Sequence, residues 1–565
     1  MEPESACPPE PWEAVQTSSS LQSRSSKTSS SSVLSFELEP ELLRGVPLDV
    51  ALAGWCKHWQ NDQDATGPSV DEVSQEVDSI DAFLSHDWQT SRWLKLATLL
   101  MVFNSRAATV VSLLTSLLVG VLRVCDYLPD ELWTTSIPCL AYLVVFCFWQ
   151  RMRSVCRRPL IVFLDRLCIH QQDQELKQKG ILGLGAFVVR SKRLVVLWSP
   201  RYFSRLWCTY EIGCFLRRMD QARIEILPVK TAYLLILVSI LWHTLMISFY
   251  LFSGYVREIE PDERVNQLIY TSAAMPVLAS VLLPVVNYLG MGIMQDVDQL
   301  SRQLQSFRVK DAQCYCCSNN HRDPLTGDEL LCDRQLVYDT LGVMYSRDLR
   351  ATPGDMEDLA LEYFDSCVQG VLGQKVVGRL GGDLPLRYLI CVVGVSNLPF
   401  LSELISRLKK GPSVPLLGLD FAIWFAVQIL HWAHPVLAIF LSAQVSQKLW
   451  KLFHYKSSVF SAIWMSPIIV IAVTCAWVPF EVVSHLTPEN SMLAFLPFLA
   501  IVVLDACLYW KPSRTLQKSN PPTNDAGSVL DKNHQDSSRS LSTLETYART
   551  WEVEEKDDTL VVWKF

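Results

Sequence analysis

The chain has 565 residues, half of them hydrophobic, with 18 tryptophans and a positive mean hydropathy of +0.19. Its net charge of −8 provides no global attraction for polyanions, and no basic stripe interleaved with aromatics appears, so nucleic acid is excluded as a partner. The 17 cysteines are scattered, several of them inside apolar runs, which excludes a secreted disulfide scaffold and fits reduced thiols facing a cytosol.

Length allows roughly two to four domains. Several apolar runs approach the length that crosses a bilayer, so membrane lipid is an expected partner and the protein is predicted to be polytopic. Residues 1–45 hold the tract TSSSLQSRSSKTSSSS and few aromatics. Such a segment buries too little apolar surface to offset its ordering entropy and is predicted to be a disordered tail. It contains no apolar h-region, so a cleavable signal peptide is not expected. Residues 46–70 include VALAGWCKHW, which reads as a short amphipathic helix packing on the domain or on lipid headgroups.

The run Asp81–Trp88 reads as a strand, and Ser91–Asn104 as the helix after it. Two apolar runs follow, Ala107–Leu122 and Leu132–Trp149, separated by the acidic DYLPDE and followed by Arg151, Arg153, Arg157 and Arg158. They read as a membrane hairpin over 105–158 whose basic end faces the cytoplasm. The first run is short, and spans if Arg123 snorkels or the helix extends. Two packed core helices are the alternative. The hairpin is preferred because a core helix is rarely apolar on every face.

Beyond it lie three short apolar runs, Leu160–Leu164, Leu194–Trp198 and Ile224–Val229, alternating with helix-length segments. Their Val, Ile and Leu content suits strands covered on both faces, and the alternation predicts βαβ units in a parallel sheet. A second hairpin is expected over 231–290. Residues 291–385 are polar and are placed in the cytoplasm. Four further runs occupy 386–510, and 511–565 reads as a disordered tail ending in LVVWKF. Counting all runs predicts about eight spans with both termini in the cytoplasm. Arg407, Lys409 and Lys410 then fall outside, against the rule that cations stay inside.

The blocks DAFLSH, VFLD, SKRLVVLWSPRYFSRLWCTYEI and ILPV resemble a TIR domain, the Toll/interleukin-1-receptor-type signalling module. The resemblance covers about a fifth of the chain, a small domain built from 78–104 and 159–229. Its most specific part is SRLWCTYEI, where a Glu follows the Trp by four residues; Trp207 and Glu211 have that spacing, and Ser204 stands one residue further from the Trp than in the family. The resemblance implies a flavodoxin-like α/β sheet, here interrupted by a membrane hairpin inside a mostly helical protein. It implies homotypic assembly with other TIR-like domains. It also implies NAD⁺ as a substrate, with Glu211 in the position of the catalytic glutamate of family members that cleave the bond between nicotinamide and ribose.

In a sheet of that kind ligands sit at the carboxyl ends of the strands. Ser85, His86 and Trp88 leave the first strand there, and Asp165 leaves the second. Trp207 and Glu211 lie one turn apart near the start of a helix. These residues are the expected substrate-binding set: Trp207 an apolar wall, Ser85, His86 and Asp165 orienting groups. The alternative is a scaffolding domain in which Glu211 is only a helix-face residue, since fold alone does not imply catalysis. No room remains after Val229 for the last helix of the family fold, so another segment, from 291–385, is expected to cover that sheet face.

Two further sets stand apart. Cys314, Cys316, Cys317, His321 and Cys332 combine soft thiolates with an imidazole, the donors of a structural Zn²⁺ site. Juxtamembrane palmitoylation or plain thiols compete. Asp420, His431 and His434 return to one face of a single helix. Ionisable groups in a span mark a cavity or a partner, which keeps open a channel or transporter with a TIR-like regulatory domain. The bland alternative, an interfacial Asp420 and histidines that bond neighbouring helices, is preferred.

Overall fold

The computed structural model describes residues 38–59, 70–129, 131–171, 173–217, 223–259, 264–322, 327, 329, 332–346, 356–373, 397–453 and 459–509. The serine tract, the tail from 511 and the first part of the apolar run 386–405 lie outside the described residues.

The protein is mostly helical around one small mixed sheet. Its strands are β1 (Arg44–Pro47), β2 (Gln75–Glu76), β3 (Ala82–His86), β4 (Ile161–Phe163), β5 (Arg193–Trp198) and β6 (Arg223–Pro228), in the spatial order β2-β1-β4-β3-β5-β6. The four from β4 to β6 run parallel, with Ala82 opposite Val162, Phe83 opposite both Phe163 and Leu194, and Leu194 opposite Ile224. Phe83, Phe163, Leu194, Val195 and Val196 are almost fully buried, as their unbroken apolar runs require of strands covered on both faces.

The expectation of a wholly parallel sheet is corrected at its edge. β1 pairs antiparallel with β4, Val46 opposite Val162. The chain therefore enters the domain at Arg44, inside the segment read as a tail. Leu42, Leu43, Val46, Leu48, Ala51 and Trp59 are buried. Composition hid this, because a four-residue strand carries too few apolar residues to outweigh the serine tract before it. VALAGWCKHW accordingly packs on the domain: Trp59 lies against the His86 ring at 4.7 Å and donates its Nε1–H to Ala51 O at 2.9 Å.

After β3 the helix Arg92–Phe103 gives way at Asn104 to the helix Ser105–Val124, and the chain returns through Ser136–Val155 to β4. Asn104 is fully buried; its amide donates to Phe146 O at 2.7 Å and accepts from Gln150 Nε2 at 2.7 Å. This network ties the domain's first helix to both arms of the hairpin. Long apolar helices Ser105–Val124, Trp133–Val155, Leu419–Phe453 and Val459–Ser484 are four described segments able to cross a bilayer, so the protein is membrane-associated. Val229–Leu241 and Met492–Leu508 are shorter apolar stretches. The first belongs to the helix Val229–Ile259, which begins at the residue after β6.

Arg123 does not snorkel. It is buried, and its guanidinium forms a two-pronged pair with Glu403 at 2.7 and 3.3 Å; Thr135 Oγ1 donates to the same carboxylate at 2.9 Å. Glu403 lies on the ten-residue helix Leu401–Lys410, which packs on Ser105–Val124 where Gly120 admits Ile405. That helix is too short to span a bilayer and ends the run read as 386–405. Lys409 reaches Asp126 in the acidic connection of the first hairpin at 2.5 Å.

The described parts of the segment 291–385 pack as a further layer on the domain. Helices Asp333–Ser346 and Met356–Cys367 lie against the helix Leu206–Arg217, with Leu341 and Phe364 closing over Gly213 and Tyr345 donating its hydroxyl to Gly213 O at 2.8 Å. Leu300, Leu304, Phe307, Val337, Leu341 and Phe364 share one buried core with the sheet. The opposite face is covered by Arg92–Phe103 and the start of Val229–Ile259, where Ala97, Met101, Leu227, Ala232 and Leu235 pack together.

Candidate functional site

A cleft opens at the carboxyl ends of β3 and β4, beside the first turns of Leu206–Arg217. It holds about 620 Å³ of empty space, open mouth included, and is lined by His86, Trp88, Asp165, Arg205, Trp207, Cys208 and Glu211 above a floor that includes Phe83 and Phe163. Five of the six expected site residues line it. The sixth, Ser85, is buried beneath and donates its hydroxyl to Glu211 Oε2.

Local structure explains the convergence. Strand alternation sends Ser85 toward the helix that carries Glu211, and Trp88 follows in the turn after β3. β4 ends in a single helical turn, Asp165–Cys168. There Asp165 accepts from the Arg166 backbone N–H at 2.7 Å and from Trp88 Nε1–H at 3.0 Å. Trp207 and Glu211 are four apart on their helix and so share a face.

The electrostatics are those of a nearly dry site. Burial pushes the Glu211 carboxyl up to about 8, with the Ser85 hydrogen bond opposing and the Asp165 charge reinforcing the shift. Glu211 therefore carries a proton at neutral pH in the free protein. Burial likewise raises Asp165 to about 6, against the Arg166 N–H, the Trp88 indole and the charges of Lys95 and Arg166. His86 is held well below its usual value by burial and by Lys95. Its Nδ1 lies 3.4 Å from Leu84 O. Its Nε2 is buried and makes no hydrogen bond among the described residues. With the proton on Nδ1, Nε2 offers an acceptor lone pair at the cleft.

Three functional groups are not evident from motif reading. Tyr202 is fully buried with its hydroxyl 2.5 Å from Ser85 Oγ, completing a Tyr202–Ser85–Glu211 chain. Lys95 is fully buried; its ammonium donates to Trp88 O at 3.2 Å and sits over the Trp59 and Trp88 rings at 5.7 and 5.3 Å. Its signal was a single cation in the otherwise apolar stretch LKLATLLM. Arg205 precedes the helix and lines the cleft; it lies within the block SRLWCTYEI, two residues before Trp207.

Of the set on the helix Leu419–Phe453, His434 bonds a neighbouring helix as the bland reading expects, whereas His431 bonds within its own. His431 Nδ1 lies 2.8 Å from Val427 O in its own helix. His434 Nε2 lies 3.2 Å from Ala476 O and the ring stacks on Phe480 at 4.2 Å. Asp420 accepts from Asn490 Nδ2 at 3.2 Å near the helix start. His434 ties its helix to Val459–Leu486, and Asp420 ties the same helix to the turn that follows.

The Cys/His set is separate from the cleft. Cys316, Cys317, His321 and Cys332 converge, their ligand atoms all within 4.8 Å of one another. Cys314 lies beside them with its sulfur 3.0 Å from that of Cys316.

No family model matches the chain. Neither a curated protein nor a solved structure matches it either. The functional reading rests on the residues themselves.

Proposed function

We propose that the chain is a multi-pass membrane signalling protein that acts through a cytoplasmic TIR-like domain by homotypic assembly, and that the cleft at Glu211 cleaves NAD⁺. The strand order β4-β3-β5-β6 supports a flavodoxin-like reading, because it runs 2-1-3-4 when the parallel strands are numbered along the chain. On this reading about eight spans enclose the domain's attachments and leave both termini in the cytoplasm.

One observation carries the catalytic part. Glu211, Asp165, Trp88 and His86, from three separate chain segments, line one apolar-floored cleft at the carboxyl edge of the sheet. In NAD⁺ cleavage the bond between ribose C1′ and the nicotinamide nitrogen breaks. Its electron pair neutralises the pyridinium, positive charge develops on the ribosyl centre, and water adds at C1′ with release of a proton. A carboxylate in a dry cleft stabilises that charge and holds ribose hydroxyls. Glu211 fills this role once ionised, and the cationic nicotinamide ring favours its ionisation. Trp207 and Trp88 supply ring faces for a flat cation. His86 Nε2 and Asp165 accept from sugar hydroxyls.

The experiment is to incubate detergent-purified protein with NAD⁺ and quantify released nicotinamide, with Glu211→Gln as control. Turnover lost in the variant while self-association persists supports both parts of the proposal. No nicotinamide from self-associated wild-type protein removes the catalytic part and leaves a scaffold. A strictly monomeric protein that still turns over NAD⁺ removes the assembly part.

A further inference from the structure

We infer that Cys316, Cys317, His321 and Cys332 bind one zinc ion, a structural site that pins the cytoplasmic segment after residue 305 onto the loop leading into the Glu211 helix. The inference does not depend on any activity of the cleft.

Geometry selects the four ligands from five candidates. Sulfurs bound to zinc at about 2.3 Å in a tetrahedron lie about 3.8 Å apart. Cys316 and Cys317 are separated by 3.9 Å and Cys317 and Cys332 by 3.8 Å, which are tetrahedron edges. Cys314 stands only 3.0 Å from Cys316, too close for two ligands of one ion and too far for a disulfide near 2.05 Å. It is a sulfur neighbour of the Cys316 thiolate, outside the ligand set.

The surroundings are built for such an ion. Tyr315–Ser318 forms a single helical turn that presents adjacent thiols. Asn320 and His321 take left-handed backbone angles, φ 54 and 55°. The His321 N–H donates to Cys316 O at 2.7 Å, folding the imidazole back over the turn. A second bond, from the Asp333 N–H to Cys316 Sγ at 3.3 Å, is a contact of the kind that stabilises a metal thiolate. Arg322 bridges Glu329 in antiparallel fashion, bringing Cys332 back beside the turn. Cys314 and Cys316 belong to the buried core, and an ion would fix the polar loop between Cys317 and Cys332 onto it.

The site reaches the domain through Gln313. Its N–H donates to Ser204 O at 2.7 Å, and the Leu206 N–H donates to Gln313 O at 3.3 Å. Leu206 opens the helix that carries Trp207 and Glu211. The ligand set begins at Cys316, just beyond Gln313, so a zinc ion there anchors the strand-like contact that fixes this helix start.

The test is metal analysis of the full-length protein purified in detergent without added chelator. About one zinc per chain is expected for a site with four protein ligands. Cys332→Ser and Cys317→Ser should fall to near zero, Cys314→Ser should keep its zinc, and His321→Cys should keep it where His321→Ala does not. Zinc-free wild-type protein overturns the inference, and so does zinc lost from Cys314→Ser but retained in Cys332→Ser. Should the serine variants fail to fold, cobalt(II) exchanged into the wild type decides: strong visible bands with thiolate-to-cobalt charge transfer support a tetrahedral sulfur-rich site, and the weak spectrum of a six-coordinate ion overturns it.

Discussion

Ser85, at the penultimate position of β3, donates its hydroxyl to Glu211 on a helix 126 residues further along the chain. The bond joins the two halves of a domain that the helices Ser105–Val124 and Ser136–Val155 separate. On the proposed reading it also positions the carboxyl that meets the ribose. Glu211→Gln keeps the side-chain shape and removes the charge. We expect NAD⁺ turnover to fall about 100- to 1,000-fold, the usual loss for one electrostatic contact in a preorganised site, with thermal stability unchanged or raised. Nicotinamide release and a melting curve on the same preparation check both.

The pH dependence follows from the raised carboxyl. Glu211 in the free protein titrates at about 8, and an ionised carboxylate is the competent form. kcat/KM for NAD⁺ should therefore rise with pH and level off above about 8. Ser85→Ala removes a hydrogen bond that opposes the shift, so its profile should move to higher pH. A midpoint that stays still in Ser85→Ala would show that another group controls the profile.

Stability should run the opposite way. A carboxyl raised on folding is protonated in the folded state while the unfolded chain ionises. Its contribution is present in full below the ordinary value of 4.5 and is lost as pH rises toward 8. Chemical denaturation between these limits should show stability declining with pH, and Glu211→Gln should flatten that slope.

Arg123 and Glu403 form a buried pair between the first hairpin and the helix Leu401–Lys410, with Arg123 side-chain exposure of 2%. Removing one partner strands the other. Glu403→Ala should cost about 3–5 kcal/mol, read as a lower melting temperature in detergent. Arg123→Met in the same chain should restore much of the loss, because the uncompensated cation is then gone.

Gly213 lets the segment 291–385 close on the domain. A Cβ there would sit 2.8 Å from Leu341 and 3.2 Å from Phe364. Gly213→Leu should destabilise by about 1–3 kcal/mol through overpacking, and Leu341→Ala in the same chain should relieve part of it. Two additive losses in the double variant would show that the two side chains do not share one contact.

Much of this protein is written locally. Unbroken apolar runs through β4 and β5 and long ones in the helices Ser105–Val124 and Trp133–Val155 announce buried strands and helices able to cross a bilayer, because burial on every side demands apolar residues in unbroken order. The spacing of Trp207 and Glu211, and the cluster from Cys314 to Cys332, are likewise legible, since helical turns and ligand sets act over short separations. Other features depend on partners remote in sequence. β1 is a strand only because β2 and β4 lie on either side of it. Arg123 looks like a snorkelling cation until Glu403, 280 residues away, meets it. Lys95 and Tyr202 are tied to cleft residues only through the rings and hydroxyls that surround them, and the 3.0 Å between the Cys314 and Cys316 sulfurs is set by the fold alone. The sequence by itself determined which segments must be buried and which residue types are available for chemistry. Tertiary structure decided who meets whom, because desolvation, pairing of charge and ligand geometry depend on distances that only the folded chain sets.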